Sequence, residues 1–186
     1  MSGFLVVKDA SLAKRIAFLQ NAEGTALAPF DCWLVLRGLK TLALRVDRQE
    51  VNAVAVGIFL CRQTQFVRKL HFAGIDPRKY GDRTSLDERQ FALHHRQCSG
   101  PGSVMSFETG DAALSKRFVN ACELFKLTVS FGSCNSLVEM PCLLSHASIP
   151  KEKRTLPEDL VRLSVGIEHV KDLIADGTER RGSARA

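Results

Sequence analysis

The 186-residue sequence is poor in the features that mark nucleic-acid-binding and membrane proteins. It has a single Trp and a single Tyr, and its charges alternate in sign, as in residues 151–154 (Lys-Glu-Lys-Arg). The formal net charge of +6 therefore does not indicate a nucleic-acid partner, because no basic stripe is interleaved with aromatic rings that could stack on bases. No stretch approaches the roughly 20 apolar residues that span a bilayer, so we predict no membrane partner.

Paired cysteines and clustered histidines are also missing. The six cysteines never occur as Cys-x-x-Cys, and the five histidines include the adjacent pair His94-His95 but no pair at metal-ligand spacing. Since most of the cysteines lie in apolar runs, we predict buried free thiols, a reducing compartment such as the cytoplasm or a plastid, and no metal site. No Gly-x-Ser-x-Gly elbow or phosphate loop occurs either, so neither an α/β-hydrolase nor a P-loop enzyme is indicated.

The residues that are present are typical of a folded globular domain. Hydrophobic residues make up 45% of the chain and charged residues 25%, which fits one domain of ordinary size or slightly more. The amino terminus has no basic region before its first apolar run. We therefore predict a buried strand at residues 4–8 rather than a signal peptide.

Helical periodicity dominates the next fifty residues. Apolar residues recur every three or four positions after Ser11, which we predict as the N-cap of a helix that ends at Gln20. Pro29 is suited to the first position of a second helix, because it needs no amide partner there. The pattern then continues to about residue 60, far beyond the mean helix length of roughly 11–12 residues, so we predict a break near Gly38 or Arg45.

Strand and helix patterns alternate over the rest of the chain. We predict four strands, at 66–72, 103–107, 127–131 and 160–165. We predict helices at 86–94 within a loop that spans 74–102, near 114–125, and from 167 to Gly177, which is placed to end the last one. This alternation indicates an α/β or α+β fold in which helices pack on one sheet.

The last predicted strand places one charged side chain away from the core. With a period of two, Val161 and Leu163 point to one face, and Arg162 points to the other. The rigid fork of an arginine suits bidentate binding of a carboxylate. The pattern by itself favours the alternative, a solvated sheet face on which Arg162 pairs with Glu158 or Glu168.

A turn rich in small residues follows the strand predicted at 127–131. Residues 129–137 (Val-Ser-Phe-Gly-Ser-Cys-Asn-Ser-Leu) could expose backbone amides and hydroxyls to an anion or to the edge of a cofactor. They could equally form a plain turn between a strand and a helix, with Ser133 or Asn135 as the N-cap. The pattern by itself favours the structural interpretation.

Four blocks of the sequence, in order, resemble the Cys/Met-metabolism family of pyridoxal-phosphate (PLP) enzymes. They are residues 21–42, Ser130-Phe131-Gly132 with Ser136-Leu137, Met140-Pro141 through residues 145–150, and residues 158–168. The residues at 20–24 and 140–142 resemble the plant-type cystathionine β-lyase branch of that family. The resemblance covers nearly the whole chain except about 75–97, which looks like an insertion.

The resemblance implies the fold of a carboxy-terminal domain of the fold-type I, aspartate-aminotransferase-like enzymes, a sheet covered by helices. It implies that residues 1–28 are the final strand and helix of the cofactor domain and that 29–62 are connecting helices. Residues 63–177 would form the small domain, and 178–186 a tail. Arg37, Lys40 and Thr41 would serve helix packing and the domain junction.

The resemblance also assigns site residues, and it reverses the interpretation of Arg162. That position matches the family arginine that holds the substrate α-carboxylate. Ser130 and Phe131 match residues that line the same pocket, and Ser145 falls where the family often has a threonine. Asn135 stands where many members have glutamate. The implied reaction is β-elimination of cystathionine, an amino-acid substrate, to homocysteine, pyruvate and ammonia.

The family cofactor is pyridoxal 5'-phosphate, and the lysine that anchors it would lie upstream of Met1. Lys8, Lys14 and Lys40 match no catalytic position, so we predict that this chain holds no catalytic residue and is inactive alone. One alternative is a non-catalytic domain that binds amino acids or associates with full-length subunits, since the family forms homo-oligomers. The alternative enzymes are cystathionine γ-lyase and γ-synthase, which share these blocks.

Overall fold

The computed structural model describes residues 3–184, and the chain divides into two compact units between residues 43 and 44. The first unit, residues 3–43, begins with a segment that has no regular secondary structure. Its helices are α1 (Ala10–Ala22) and α2 (Pro29–Leu39). The side chain of Asp9 begins α1 by accepting a hydrogen bond of 2.6 Å from the amide of Leu12.

The structure changes two predictions in the first unit and confirms two. No strand forms at residues 4–8, because a strand needs a hydrogen-bonded neighbour and none pairs with this segment among the described residues. The N-cap of α1 is Asp9 rather than Ser11. Pro29 does occupy the first turn of α2, and the long helical pattern does break near Gly38, since α2 ends at Leu39.

The second unit, residues 44–184, is built on a five-stranded sheet with the order β1-β2-β5-β4-β3. The strands are β1 (Lys69–His71), β2 (Val104–Glu108), β3 (Lys126–Leu127), β4 (Leu137–Glu139) and β5 (Val161–Ser164). All neighbours pair antiparallel except β3 and β4, which are parallel. The last strand in the sequence therefore lies at the centre of the sheet.

Five helices are interspersed with these strands along the described sequence of the second unit. They are α3 (Leu42–Arg62, beginning in the first unit), α4 (Pro77–Tyr80), α5 (Glu88–Gln97), α6 (Ala112–Ala121) and α7 (Val170–Ala184). Two short 3-10 turns occur at Gly81–Arg83 and Lys151–Lys153. No helix among the described residues is long and apolar enough to cross a membrane.

One hydrophobic cluster joins α3, α6 and α7 to the sheet. At its centre the rings of Phe66, Phe107 and Phe118 lie 5.2 to 5.8 Å apart, in tilted and edge-to-face arrangements. Such pairs contribute about 0.5–1.5 kcal/mol beyond the burial of their area. Val161 and Leu163 of β5 join the same cluster, which fixes the register of the strand and hence the direction of Arg162.

Several sequence predictions in the second unit need correction. In place of the strand predicted at 127–131, the structure has the two-residue strand β3 (Lys126–Leu127). The small-residue turn is followed by strand β4 and not by a helix. Neither Ser133 nor Asn135 is therefore a helix cap. The last helix continues through Gly177 to Ala184, so that glycine does not end it, and residues 178–184 of the predicted tail are helical. Residues 185 and 186 lie outside the described residues.

Other predicted strands and helices are present in the structure, with different end residues. The strands predicted at 66–72, 103–107 and 160–165 contain β1, β2 and β5, and the helix predicted at 86–94 overlaps α5. The additional helix α4 was not predicted; Asp76 caps it and Pro77 begins it. All six cysteines are free thiols as predicted, but only Cys61 and Cys142 are buried.

Candidate functional site

Arg162 lies in the middle of the sheet. On β5 it faces Ser106 of β2 on one side and Glu139 of β4 on the other. Its neighbours Val161 and Leu163 are buried in the core, so the guanidinium leaves the opposite face, as the alternation of the strand predicted. The side chain of Arg162 retains 18% exposure.

The ion-pair partner of Arg162 is Glu139, which the sequence analysis did not single out. Nη2 of Arg162 lies 2.6 Å from Oε1 of Glu139, whose side chain is 1% exposed. The alternative pairing with Glu158 or Glu168 is therefore not the one that forms, and the carboxylate of Glu168 accepts hydrogen bonds from Ser136. A buried carboxylate of this kind requires a paired cation, and Arg162 supplies it.

The turn after β3 contacts the same guanidinium. Nη2 of Arg162 donates a hydrogen bond of 2.9 Å to the backbone oxygen of Ser130. The guanidinium lies over the ring of Phe131, with 5.5 Å between Cζ and the ring centroid, a distance typical of a cation–π contact. Ser130 has a φ of 111°, a conformation that costs of order 1–3 kcal/mol for a residue other than glycine.

A hydrogen-bond network holds this strained turn in place. The amide of Gly132 donates to Oγ of Ser164 on β5 at 2.9 Å. Glu168 accepts from the amide and the hydroxyl of Ser136 at 2.6 and 2.9 Å. The fully buried Asn52 of α3 donates to the backbone oxygens of Gly166 and Glu168 at 3.0 and 2.8 Å. The position of Ser130 therefore depends on α3 and β5 as well as on its own turn.

Ser145 completes the cluster from a different segment. Its hydroxyl donates to Oε1 of Glu139 at 2.9 Å, and it lies 3.0 Å from Nδ1 of His146. The segment that carries Ser145 follows β4 directly, which explains how Ser145 reaches the carboxylate at the end of that strand. All four residues predicted for the site therefore meet on one ion pair.

A signal for Glu139 was present in the sequence. It is the single charged residue in the run Leu137-Val138-Glu139-Met140, directly after a turn rich in small residues. A charge inside an apolar run indicates either an exposed edge or a buried ion pair. The strand β4 was not predicted because three residues between two turns give no periodicity to recognise.

The residues outside this cluster are placed as follows. Asn135 is exposed, and its amide donates to Oγ of Ser133. Arg37, Lys40 and Thr41 lie at the end of α2 and just after it, exposed to solvent. Their predicted role at a domain junction stays a prediction.

The chemistry of the cluster fits a carboxylate ligand better than a pyridoxal-phosphate cofactor. Its cation is a guanidinium, which binds carboxylates through paired hydrogen bonds. The five residues Ser130, Phe131, Glu139, Ser145 and Arg162 include no lysine that could hold an aldehyde covalently. These five residues would therefore contact the substrate rather than hold the cofactor.

Comparison with known proteins gives a consistent result. Residues 1–179 match the family described as Cys/Met metabolism PLP-dependent enzyme. The chain is 50% identical over 179 residues to a chloroplastic cystathionine beta-lyase of Arabidopsis thaliana, a match that covers 95% of this chain and 36% of that protein. It is 45% identical to a cystathionine beta-lyase of Schizosaccharomyces pombe, covering 95% of this chain and 43% of the other.

A solved structure is similar in fold as well. Cystathionine gamma-lyase from Lactobacillus plantarum complexed with L-serine superposes with a TM-score of 0.82 at 34% identity, covering 96% of this chain and 45% of that one. This likeness confirms the predicted fold, that of a fold-type I carboxy-terminal domain. The chain spans less than half the length of each of these relatives.

Proposed function

The chain belongs to the Cys/Met metabolism PLP-dependent enzyme family, and we propose that it is the carboxy-terminal part of a carbon-sulfur lyase. The proposed reaction of the whole enzyme is β-elimination of cystathionine to homocysteine, pyruvate and ammonia. Two relatives at 45–50% identity carry the name cystathionine beta-lyase, which supports the choice of substrate. The observation that carries the proposal is the guanidinium of Arg162, held by Glu139 and Ser130 on the face of the sheet opposite Val161 and Leu163.

In this proposal Arg162 binds the α-carboxylate of the amino acid. Phe131 stabilises the guanidinium through a cation–π contact, and the backbone of Ser130 orients it through the bond to Nη2. Ser145 is close enough to Glu139 to contact the same part of the ligand. When bound, the cofactor supplies an electron sink for removal of the α-proton; the residues of this chain orient the substrate by its carboxylate.

The 186 residues alone are proposed to be inactive in elimination. The cluster around Arg162 offers a carboxylate site and no lysine for the cofactor, so substrate could be held without being converted. The apolar side chains of the first unit, residues 3–43, are proposed to contact further parts of the enzyme and other subunits of a homo-oligomer. The proposed location is a reducing compartment, the cytoplasm or a plastid.

A binding titration tests the role of Arg162. We expect L-cystathionine to shift the amide resonances of residues 130–136 and 162 in the folded chain, and Arg162→Ala to abolish these shifts. Arg162→Lys is the matched control, since it keeps the charge but loses the fork and should bind several-fold more weakly. Equal binding by the wild type and Arg162→Ala would disprove the assignment.

Borohydride reduction in the presence of pyridoxal phosphate tests the proposed inactivity. We expect no single lysine to retain the cofactor stoichiometrically, because the carboxylate site contains none. Mapping of modified peptides by mass spectrometry distinguishes this result from random labelling of surface lysines. One specifically modified lysine together with release of pyruvate from cystathionine would show that the chain carries its own catalytic group.

Two other functions would use the same cluster. A non-catalytic amino-acid-binding or subunit-association domain is compatible with the intact ion pair of Arg162 and Glu139. A γ-lyase or γ-synthase is the alternative enzyme, and the structural likeness to a cystathionine gamma-lyase is compatible with it. Assay of the enzyme that contains this chain separates these activities, because a β-lyase releases homocysteine from cystathionine, a γ-lyase releases cysteine from it, and a γ-synthase forms cystathionine.

A further inference from the structure

The bonding of Arg162 raises a conflict with its proposed ligand. A guanidinium binds a carboxylate through two parallel hydrogen bonds along one of two edges, Nη1 with Nη2 or Nε with Nη2. Both edges use Nη2. In this structure Nη2 already contacts two acceptors, Oε1 of Glu139 at 2.6 Å and the backbone oxygen of Ser130 at 2.9 Å. Since Nη2 carries two hydrogens, bidentate capture of a ligand requires that one acceptor withdraw.

Glu139 is the acceptor that is equipped to withdraw. The bond from Ser130 belongs to a turn that is fixed by Gly132 and by the Glu168–Ser136 network, whereas the Glu139 carboxylate can change position by rotation about its side-chain bonds. Ser145 donates to the same Oε1 at 2.9 Å, so that oxygen keeps a hydrogen bond when Arg162 leaves. The second oxygen, Oε2, is buried and has no hydrogen-bond partner among the described residues. The position of the Glu139 carboxylate beside Arg162 is therefore less stable than one in which both oxygens accept hydrogen bonds.

We infer that Glu139 acts as an internal competitor for the substrate carboxylate at Arg162. Before a ligand binds, Glu139 neutralises and orients the guanidinium. On binding, the α-carboxylate replaces it at Nη2, and Glu139 stays bonded to Ser145 and close to the positive charge of Arg162. Glu139 thereby sets the affinity of the site for amino acids and favours ligands that make further contacts. It is a positioning residue, and this inference rests on the proposed role of Arg162.

The competition predicts a gain of affinity when Glu139 is weakened. Glu139→Gln keeps the shape and an oxygen for Ser145 but removes the charge. L-serine should then bind about fivefold more tightly, because its carboxylate no longer competes with a second carboxylate for Nη2. A residue that only supported the structure would give the opposite result, weaker binding together with lower stability. Affinity is measured by amide-shift titration of the full 186-residue chain, with ethanolamine as the ligand that lacks only the carboxylate.

Matched variants complete the test. Glu108→Gln makes the same change of charge on the adjacent strand β2, where Glu108 pairs with His71 at 2.8 Å, and it should alter L-serine affinity less than twofold. Glu139→Asp keeps the charge but shortens the side chain, so it should also tighten binding. Glu139→Asp replaces Glu139→Gln in the test if the amide spectrum of the Glu139→Gln chain shows that it is unfolded.

The outcomes separate this inference from the proposed function. Tighter L-serine binding by Glu139→Gln or Glu139→Asp, lost when Arg162→Ala is added, supports the competition. Unchanged or weaker binding in both variants, with loss of binding in Arg162→Ala, overturns the competition and leaves the carboxylate role of Arg162 standing. Binding that survives Arg162→Ala, or no binding by the wild type and both Glu139 variants, overturns both proposals.

Discussion

The two units of the chain use apolar residues in opposite ways. In the second unit the large apolar side chains bury one another, and the cluster around Phe107 and Phe118 excludes solvent. In the first unit no described residue is buried, and the side chains of Phe4, Phe18, Phe30 and Trp33 are each more than half exposed. The second unit therefore contains its own source of stability, whereas the helices of the first unit have apolar faces that nothing in their own unit covers.

This difference shows where the candidate site obtains its rigidity. Arg162, Glu139 and the turn at 130–136 all lie in the second unit, and each is tied to strands that pack on the buried cluster. The site does not depend on burial within the first unit. We expect the following substitutions to separate the two units, beginning with the largest effect.

Removal of a ring should affect the two units very differently. Phe107→Ala deletes a fully buried ring and should lower the free energy of unfolding by about 3–5 kcal/mol. Phe18→Ala deletes a ring that is 70% exposed and should change it by less than about 0.5 kcal/mol. Urea unfolding followed by circular dichroism measures both. Comparable losses would contradict the division into a self-sufficient and a dependent unit.

A pair of glycines gives the second comparison. A Cβ at Gly166 would collide with the backbone oxygen of Cys134 and with Ser136, whereas a Cβ at Gly38 of α2 would meet nothing. Gly166→Ala should therefore cost about 1–3 kcal/mol of stability and disturb the turn that carries Ser130. Gly38→Ala should be neutral or stabilising by up to about 1 kcal/mol. Thermal unfolding of both variants is the measurement, and a stable Gly166→Ala chain would refute the tight packing of this turn.

The thiols provide a comparison with a pH dependence. Burial raises the pKa of the Cys61 thiol to about 11, while Cys32 of α2 is only half-buried. At pH 8 a thiol reagent should label Cys32 well before Cys61, because the thiolate is the reactive form. Equal labelling rates in the folded chain would show that the interior around Cys61 is open.

The raised pKa also predicts how stability changes in alkali. Between pH 9 and 11 the thiol of Cys61 ionises in the unfolded chain but stays protonated in the folded one, so stability falls as pH rises. The loss should be about 1–2 kcal/mol and should be smaller in Cys61→Ala. Urea unfolding at pH 8.5 and 10.5 measures the difference. A loss of the same size in the variant would assign it to other groups.

Removal of the exposed rings of the first unit should have the smallest effect on stability. It should have a large effect on self-association. Replacement of Phe4, Phe18 and Phe30 by serine should reduce the fluorescence of a bound hydrophobic dye several-fold and leave the unfolding free energy nearly unchanged. Sedimentation velocity should show less self-association than in the wild type. If dye binding persists, the accessible apolar surface lies in the second unit.

The sequence predicted the elements that have long or alternating patterns. The central strand β5 was recognised because Val161 and Leu163 alternate with Arg162, and α2 because Pro29 begins it. Strand β4 was missed because its three residues carry no period of their own. The strand expected at 4–8 did not form, since an apolar run indicates burial and does not supply the neighbour that a strand must bond to.

The candidate site divides in the same way. Arg162, Ser130, Phe131 and Ser145 were assigned by resemblance, and β5 gave an independent reason for the outward direction of Arg162. Glu139 became visible only when β4 was placed beside β5, because residues 23 positions apart in the sequence face each other across the sheet as Glu139 and Arg162.

The sequence by itself determined the family, the outward face of Arg162 and the apolar faces of the helices, because these depend on local order and period. Tertiary structure alone decided that Glu139 bonds to the guanidinium, that Ser145 reaches the same carboxylate and that Ser130 adopts a positive φ. The physical reason is that an ion pair between strands depends on register and burial. Register is fixed by the packing of the whole core, and burial determines whether a charge needs its partner.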